Sequence, residues 1–248
     1  MNAILTIAAN ELRRLLVTPM AWIALASVQF VLAIFFFLLL TQFLENPQIA
    51  QQGVTQIVAT GTLQLAGIIL LLVVPFLTMR LFSEEYRSGS LTLLLSSPLS
   101  LTEIVLGKFL GIYVFLLIML GMIALMPLSL AVGTTLDFGH LAAAILGLGL
   151  LMGAFAAIGL FISALTSQPA AAAIATFAVL FVLWIINLAA GGAGEQVGAM
   201  LSYLSLLKHF EAQLAGVFNS ADVIYYLLVM LTFVVLTIWR LDAERLHG

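Results

Sequence analysis

The sequence predicts an all-α integral membrane protein: six transmembrane helices, both termini cytoplasmic, an N-terminal interfacial helix, a cytoplasmic helix between spans 2 and 3, and a short outer helix between spans 5 and 6. Three observations predict it. Of 248 residues, 64% are hydrophobic and only 8% charged, where a soluble domain carries about 25% charged residues. Six stretches have the roughly 20 apolar residues that a helix needs to cross the hydrocarbon core. Lys and Arg fall almost wholly on one side of the resulting layout.

The spans run approximately Met20–Leu44, Gly61–Met79, Gly107–Val132, Leu141–Leu165, Pro169–Ala190 and Val223–Trp239. Only Thr166, Ser167 and Gln168 separate the fourth from the fifth, and Pro169 suits the first turn of the next helix. Arg13, Arg14, Arg80, Arg87, Lys108, Arg240 and Arg245 lie on one side and Lys208 alone on the other, which places both termini inside. Trp22 and Trp239 fall at inner span ends, where amphipathic rings prefer the headgroup layer. The chain reads as one transmembrane domain over 1–248, with an interfacial helix in 1–19, a cytoplasmic loop at 80–102 and an outer loop at 191–222.

Within 4–16, Leu5, Ala8, Leu12, Leu15 and Leu16 share one face and Asn10, Arg13 and Arg14 another, as in a helix lying on a membrane surface. In the outer loop, Met200, Tyr203, Leu204, Leu207, Phe210, Leu214, Val217 and Phe218 follow helical spacing opposite Ser202, Ser205, His209 and Gln213. Membrane anchoring accounts for that pattern more simply than gating. The first 19 residues lack the continuous apolar core and cleavage site of a signal peptide, so the amino terminus is read as retained.

Several function classes are disfavoured. With 8 Lys+Arg against 11 Asp+Glu, no global basic field exists to hold nucleic acid. The only Gly-Lys pair, Gly107-Lys108, has Thr102 and Phe109 where a phosphate-binding loop needs Gly and a hydroxyl. His140, His209 and His247 are too dispersed for metal-ligand spacing, cysteine is absent, and no Gly-x-Ser nucleophile elbow occurs. The chain is therefore expected to be non-catalytic, with no cofactor of its own.

Every ionisable residue sits at or beyond a predicted span end, whereas ion-coupled carriers keep such groups in the membrane. The power source is expected elsewhere. Gln29, Ser163 and Asn187 are the most polar span positions; they are candidate pathway residues, although helix-to-helix hydrogen bonding is the commoner use. Gly149 with Gly153, and Gly107 with Gly111, permit close helix contact within one chain or between two. Pro75 and Pro127 lie inside the second and third spans, where kinks are expected.

The loop after the second span, Thr78-Met79-Arg80-Leu81-Phe82-Ser83-Glu84-Glu85-Tyr86-Arg87-Ser88-Gly89-Ser90, holds the densest charge. Ser83 is expected to cap a helix whose first turn carries Glu84 and Glu85, and Gly89 to end it. A short segment around Leu91–Leu95 follows, stopped at Ser97-Pro98. Ser100 and Glu103 then form a capping box, with Leu99 and Ile104 spaced as a hydrophobic staple.

The run T-M-R-L-F-S-E-E-Y-R-S-G-S-L-x-L-L-L-S-S-P-L-S, followed by E-I-V-L-G-K-F-L-G, resembles the signature of ABC-2 type transporter permeases, especially the gliding-motility, GldF-like subgroup. Leu204–Glu211, followed by Gly216-Val217-Phe218, is similar to the same subgroup's segment before its final helix, with Leu206 where that motif has Pro. The resemblance implies a dimerising permease subunit of the bacterial cytoplasmic (inner) membrane, driven by two copies of a separate ABC-type ATP-binding subunit that bind ATP and Mg. It implies a second permease chain, the same or related, and export. In such families the loop after the second span is a coupling helix docked on the ATPase. Here that role falls on Ser83, Glu84, Glu85, Tyr86, Arg87, Gly89, Leu91, Leu94, Leu95 and Pro98. The alternatives are a membrane scaffold that transmits ATPase motion to an external machine, and a stand-alone secondary transporter or channel.

Overall fold

The computed structural model describes residues 3–51, 53–90, 99–190 and 194–247. Among them every regular element is helical, and six helices are long and apolar enough to cross a membrane. Helix α1 (Ala3–Val17) precedes the first span, α2 (Pro19–Glu45). A single turn, α3 (Pro47–Ala50), and a wide π-turn (Thr55–Ala59) lead into the second span, α4 (Thr60–Thr78). Helix α5 (Ser83–Ser88) follows, then the third span, α6 (Leu101–Ser129), and the fourth, α7 (Phe138–Ser163). The fifth span, α8 (Pro169–Ala190), is followed by α9 (Glu195–Leu204) and α10 (Leu206–Leu214), and the sixth is α11 (Ser220–His247).

Local signals set many of these boundaries. Ser100 Oγ accepts from the Glu103 amide at 3.2 Å while Glu103 Oε2 accepts from the Ser100 amide at 2.9 Å, which is the expected capping box. The box starts α6 two turns before the apolar stretch at Gly107. Asp137 caps α7 by accepting from the His140 amide at 3.0 Å. Gly89 ends α5 with φ +72°, a left-handed conformation that costs glycine nothing. Pro75 and Pro127 lie inside helices that remain continuous.

Helix α7 is the axis of the bundle, touching α4, α6, α8, α10 and α11. Its buried face runs through Ala144, Gly147, Leu151, Ala154, Ala157 and Ile158, mostly small residues that let neighbouring backbones approach. Lipid is as apolar as leucine, so the contacts gain mainly through close packing. Helix α2 lies at the periphery and exposes Ile23, Phe30, Phe37 and Leu38.

Both glycine pairs are spent inside the chain. A Cβ on Gly107 would lie 2.6 Å from Ile7 Cβ, and one on Gly111 2.7 Å from Glu11 Cβ, so this groove receives α1. A Cβ on Gly153 would lie 2.7 Å from Met230 Cε, and one on Gly149 3.1 Å from Leu120 Cδ2.

The two expected amphipathic faces are met unevenly. Helix α1 packs on α6 through Ile4, Ile7, Ala8 and Glu11, and Leu12, Leu15 and Leu16 of the expected face pack on the core while Leu5 is exposed. The outer amphipathic helix is broken at Ser205 into α9 and α10, and α10 buries its polar side, His209 and Gln213, together with Leu206, Phe210 and Leu214. Met200, Tyr203, Val217 and Phe218, placed by spacing on the same apolar face as Phe210 and Leu214, are exposed.

Candidate functional site

The charged end of the bundle gathers α1, α5, the start of α6 and the end of α11. Phe82 and Ser83 are buried while Glu84 and Arg87 are exposed, so α5 turns one side to the bundle and the other outward. Ser83 does not cap α5 as expected. The helix starts at Ser83 itself, and its hydroxyl donates to the Met79 carbonyl of the preceding turn. A buried hydroxyl with a carbonyl in reach satisfies that carbonyl first.

Lys108 is the hub of this end. It is 3% exposed, its Nζ lies 2.5 Å from Glu85 Oε1 and 3.5 Å from Glu11 Oε2, and it sits 5.2 Å above the Phe82 ring. Arg14 pairs with Glu11 at 3.2 Å and donates to the Arg80 carbonyl at 3.2 Å. One ammonium therefore ties α5, α6 and α1 together, the pairing a buried charge requires. Burial pushes the Glu85 carboxyl above its ordinary range, and Lys108 pulls it the other way. Lys108 is thus a buried ion-pair centre, where spacing alone made it one more charge at a span end.

A second link joins α5 to the last span. The Tyr86 hydroxyl donates to Glu244 Oε2, and Arg240 pairs with Glu244 Oε1 at 2.6 Å. Burial, then the bond to Glu244, push the Tyr86 phenol up, so it stays protonated and remains a donor. Beside α5, Met20 of α2, Leu72, Pro75 and Phe76 of α4 with Met79 just after it, and Ala173, Ile174 and Phe177 of α8 line a cleft of about 1380 Å³. Arg80, Glu84 and Arg87 stand at its charged end. Arg80 and Arg87 have no carboxylate partner within 4.0 Å among the described residues.

The expected site residues fare unevenly. Glu84, Glu85, Tyr86, Arg87 and Gly89 come together on or next to α5. Leu91, Leu94, Leu95 and Pro98 lie outside the described residues. Gln29, Ser163 and Asn187 do not converge. Gln29 is half-buried on α2 with Nε2 unpartnered, Ser163 donates to the Leu160 carbonyl of its own helix at 2.7 Å, and Asn187 Oδ1 accepts from Ser202 at 3.1 Å. Sequence reasoning missed Glu11, Lys108 and Glu244. A signal for the first was present, since Glu11 falls in helical register with Ile4, Ile7 and Ala8, the residues that enter the Gly107/Gly111 groove.

At the far end, α10 is inserted into the bundle. A Cβ on Gly67 would meet Phe210 Cε1 at 2.7 Å, and Gly147 leaves room for Gln213. Phe210 packs on Trp184, which packs on Phe155. Ser205 caps α10 by accepting from the Lys208 amide at 3.3 Å. Leu206 is the first helical residue, a position that tolerates proline, so the departure from the motif leaves the turn intact.

A family model described as "ABC-2 family transporter protein" matches residues 5–246. This chain belongs to the ABC-2 transporter family. No curated protein matches it. ABC-2 membership together with six apolar crossing helices makes it a multi-pass membrane protein and the membrane subunit of an ABC transporter. ABC-2 permeases generally pair with ABC ATP-binding subunits.

Proposed function

We propose that this chain is a non-catalytic exporter permease of the GldF-like type, in a bacterial cytoplasmic membrane, with its charged end cytoplasmic. Two ATP-binding subunits, which hold the ATP and Mg, dock on α5 and the loop that follows it within 80–102. A second permease chain, the same or related, completes the pathway. The observation that carries this reading is the Lys108 network, which leaves Glu84 and Arg87 outward while fastening α5 to α6 and α1. A push on α5 reaches two further helices through one buried ammonium, the linkage a two-state switch needs. The cleft beside α5, apolar along α4 and α8 with arginines at its charged end, supports amphipathic cargo.

Purification of the chain with its co-expressed ATPase tests the reading. Association is expected, and the double reversal Glu84→Lys with Arg87→Glu, both exposed positions, should abolish it without lowering thermal stability. Failure to associate with any ATPase overturns the proposal. ATP hydrolysis that never responds to an amphipathic substrate would favour force transmission without transport.

A further inference from the structure

His209 and Asp222 are both buried, 7% and 6% exposed, and nothing in the coupling reading uses them. His209 Nε2 lies 2.9 Å from the Tyr203 carbonyl at the end of α9, and Nδ1 lies 2.6 Å from Asp222 Oδ1 in the first turn of α11. A carbonyl only accepts, so Nε2 carries a hydrogen. The contact with Asp222 then holds one further proton, on Nδ1 as imidazolium facing carboxylate or on the carboxyl with Nδ1 accepting. Both forms contain the same number of protons. Without that proton the ring has one hydrogen for two acceptors, and one bond is lost.

We propose that α10 is a proton-linked gate, latched to the last span by the single proton that His209 and Asp222 share. Asp222 Oδ2 has no partner, so the imidazole is the one side chain that anchors this carboxyl among the described residues. The groups facing the ring are phenols. Tyr225 of α11 stacks on it at 4.0 Å, Tyr203 of α9 meets it edge-on, and Tyr226 of α11 stands at 6.3 Å. The Tyr225 and Tyr226 hydroxyls donate to the Leu204 and Leu206 carbonyls, both at 2.8 Å. On α10 itself Lys208 and Glu211 are exposed. His140 of α7 lies at the opposite end of α10, with Nε2 2.7 Å from the Leu214 carbonyl.

The closed position is also poised to open. Gln213 is fully buried against Gly147, and neither amide atom has a partner. Lifting α10 hydrates that amide, so the latch holds against a group that gains from release.

Leu206→Cys tests the gate in a chain that otherwise lacks cysteine, reconstituted alone in liposomes. The side chain at this position is fully buried when α10 is seated. The rate of labelling by a membrane-impermeant maleimide, divided at each pH by that of the detergent-unfolded chain, should rise roughly tenfold between about pH 5 and about pH 9. In an added Asp222→Asn background it should stay low and flat, because the introduced amide donates to Nδ1 with no proton to lose. A flat profile in the native background, or a rise that survives Asp222→Asn, overturns the proposal. Ring ¹⁵N NMR of His209 in the unsubstituted chain, assigned with His209→Gln, provides a check free of the cysteine. Loss of one shared proton across the same range is expected, and constant protonation overturns the latch. With no ATPase present, failure here leaves the permease reading standing, and failure to bind an ATPase leaves the latch standing.

Discussion

Lys108 Nζ lies 2.5 Å from Glu85 Oε1, joining the third turn of the third span to the short helix that follows the second. Both partners are largely shielded from water, and Glu11 supplies the second carboxylate. Removing Lys108 leaves Glu85 without its cation, while Glu11 retains Arg14.

Lys108→Met is expected to destabilise the chain by about 3 kcal/mol, because the Glu85 carboxylate then remains buried without its cation while Glu11 keeps only Arg14. Adding Glu85→Gln should recover part of the loss. Thermal unfolding in detergent of the two single variants and the double variant reads the coupling directly. Additive effects would show that the pair is not coupled.

Gly111→Leu is expected to detach α1, since even a Cβ there would lie 2.7 Å from Glu11 Cβ and 3.0 Å from the Ala8 carbonyl oxygen. The cost of overpacking is about 1–3 kcal/mol. Gly121→Leu, on the same helix with open space around it, should be nearly neutral and serves as the control. Limited proteolysis within residues 3–17 distinguishes the two.

Phe210→Ala and Phe218→Ala separate an inserted plug from a surface anchor. Phe210 is fully buried against Gly67 and Trp184, and its truncation should cost roughly 3 kcal/mol. Phe218 is 65% exposed, and its truncation should stay within about 0.5 kcal/mol. Equal losses in thermal unfolding would show that Phe210 is not the inserted anchor of α10.

Ser100→Ala removes the capping box of α6 and should cost about 1 kcal/mol. Because the cap sits one turn before Ile104 and two before Lys108, hydrogen exchange should rise over residues 101–104 first. Uniform exchange along α6 would show that the box does not hold this end.

Much of the fold was legible because its signals are local. Length and apolarity set the spans, Ser100 and Glu103 set the start of α6, and Gly89 set the end of α5. The site was legible only in part. Charge density marked α5, but Ser83 was assigned a cap it does not make, since the competing Met79 carbonyl is seen only once the turn before α5 is built. The candidate pathway residues were chosen for polarity, and two of them make the helix hydrogen bonds that such polarity more often serves.

By itself the sequence determined six crossing helices, their order, their main caps and the position of the charged loop, because each depends on residues within a turn or two of one another. Only the tertiary structure decided which face of each helix turns inward. In a soluble protein water would have marked that face, but lipid accepts apolar side chains as readily as the bundle does, so hydrophobic spacing loses its meaning. Helix α10 could therefore bury its histidine and glutamine while Val217 and Phe218 just beyond it face outward. In the same way Lys108 acquired its role from two carboxylates that lie 97 and 23 positions away along the chain (108 − 11 and 108 − 85) and 3.5 and 2.5 Å away in space.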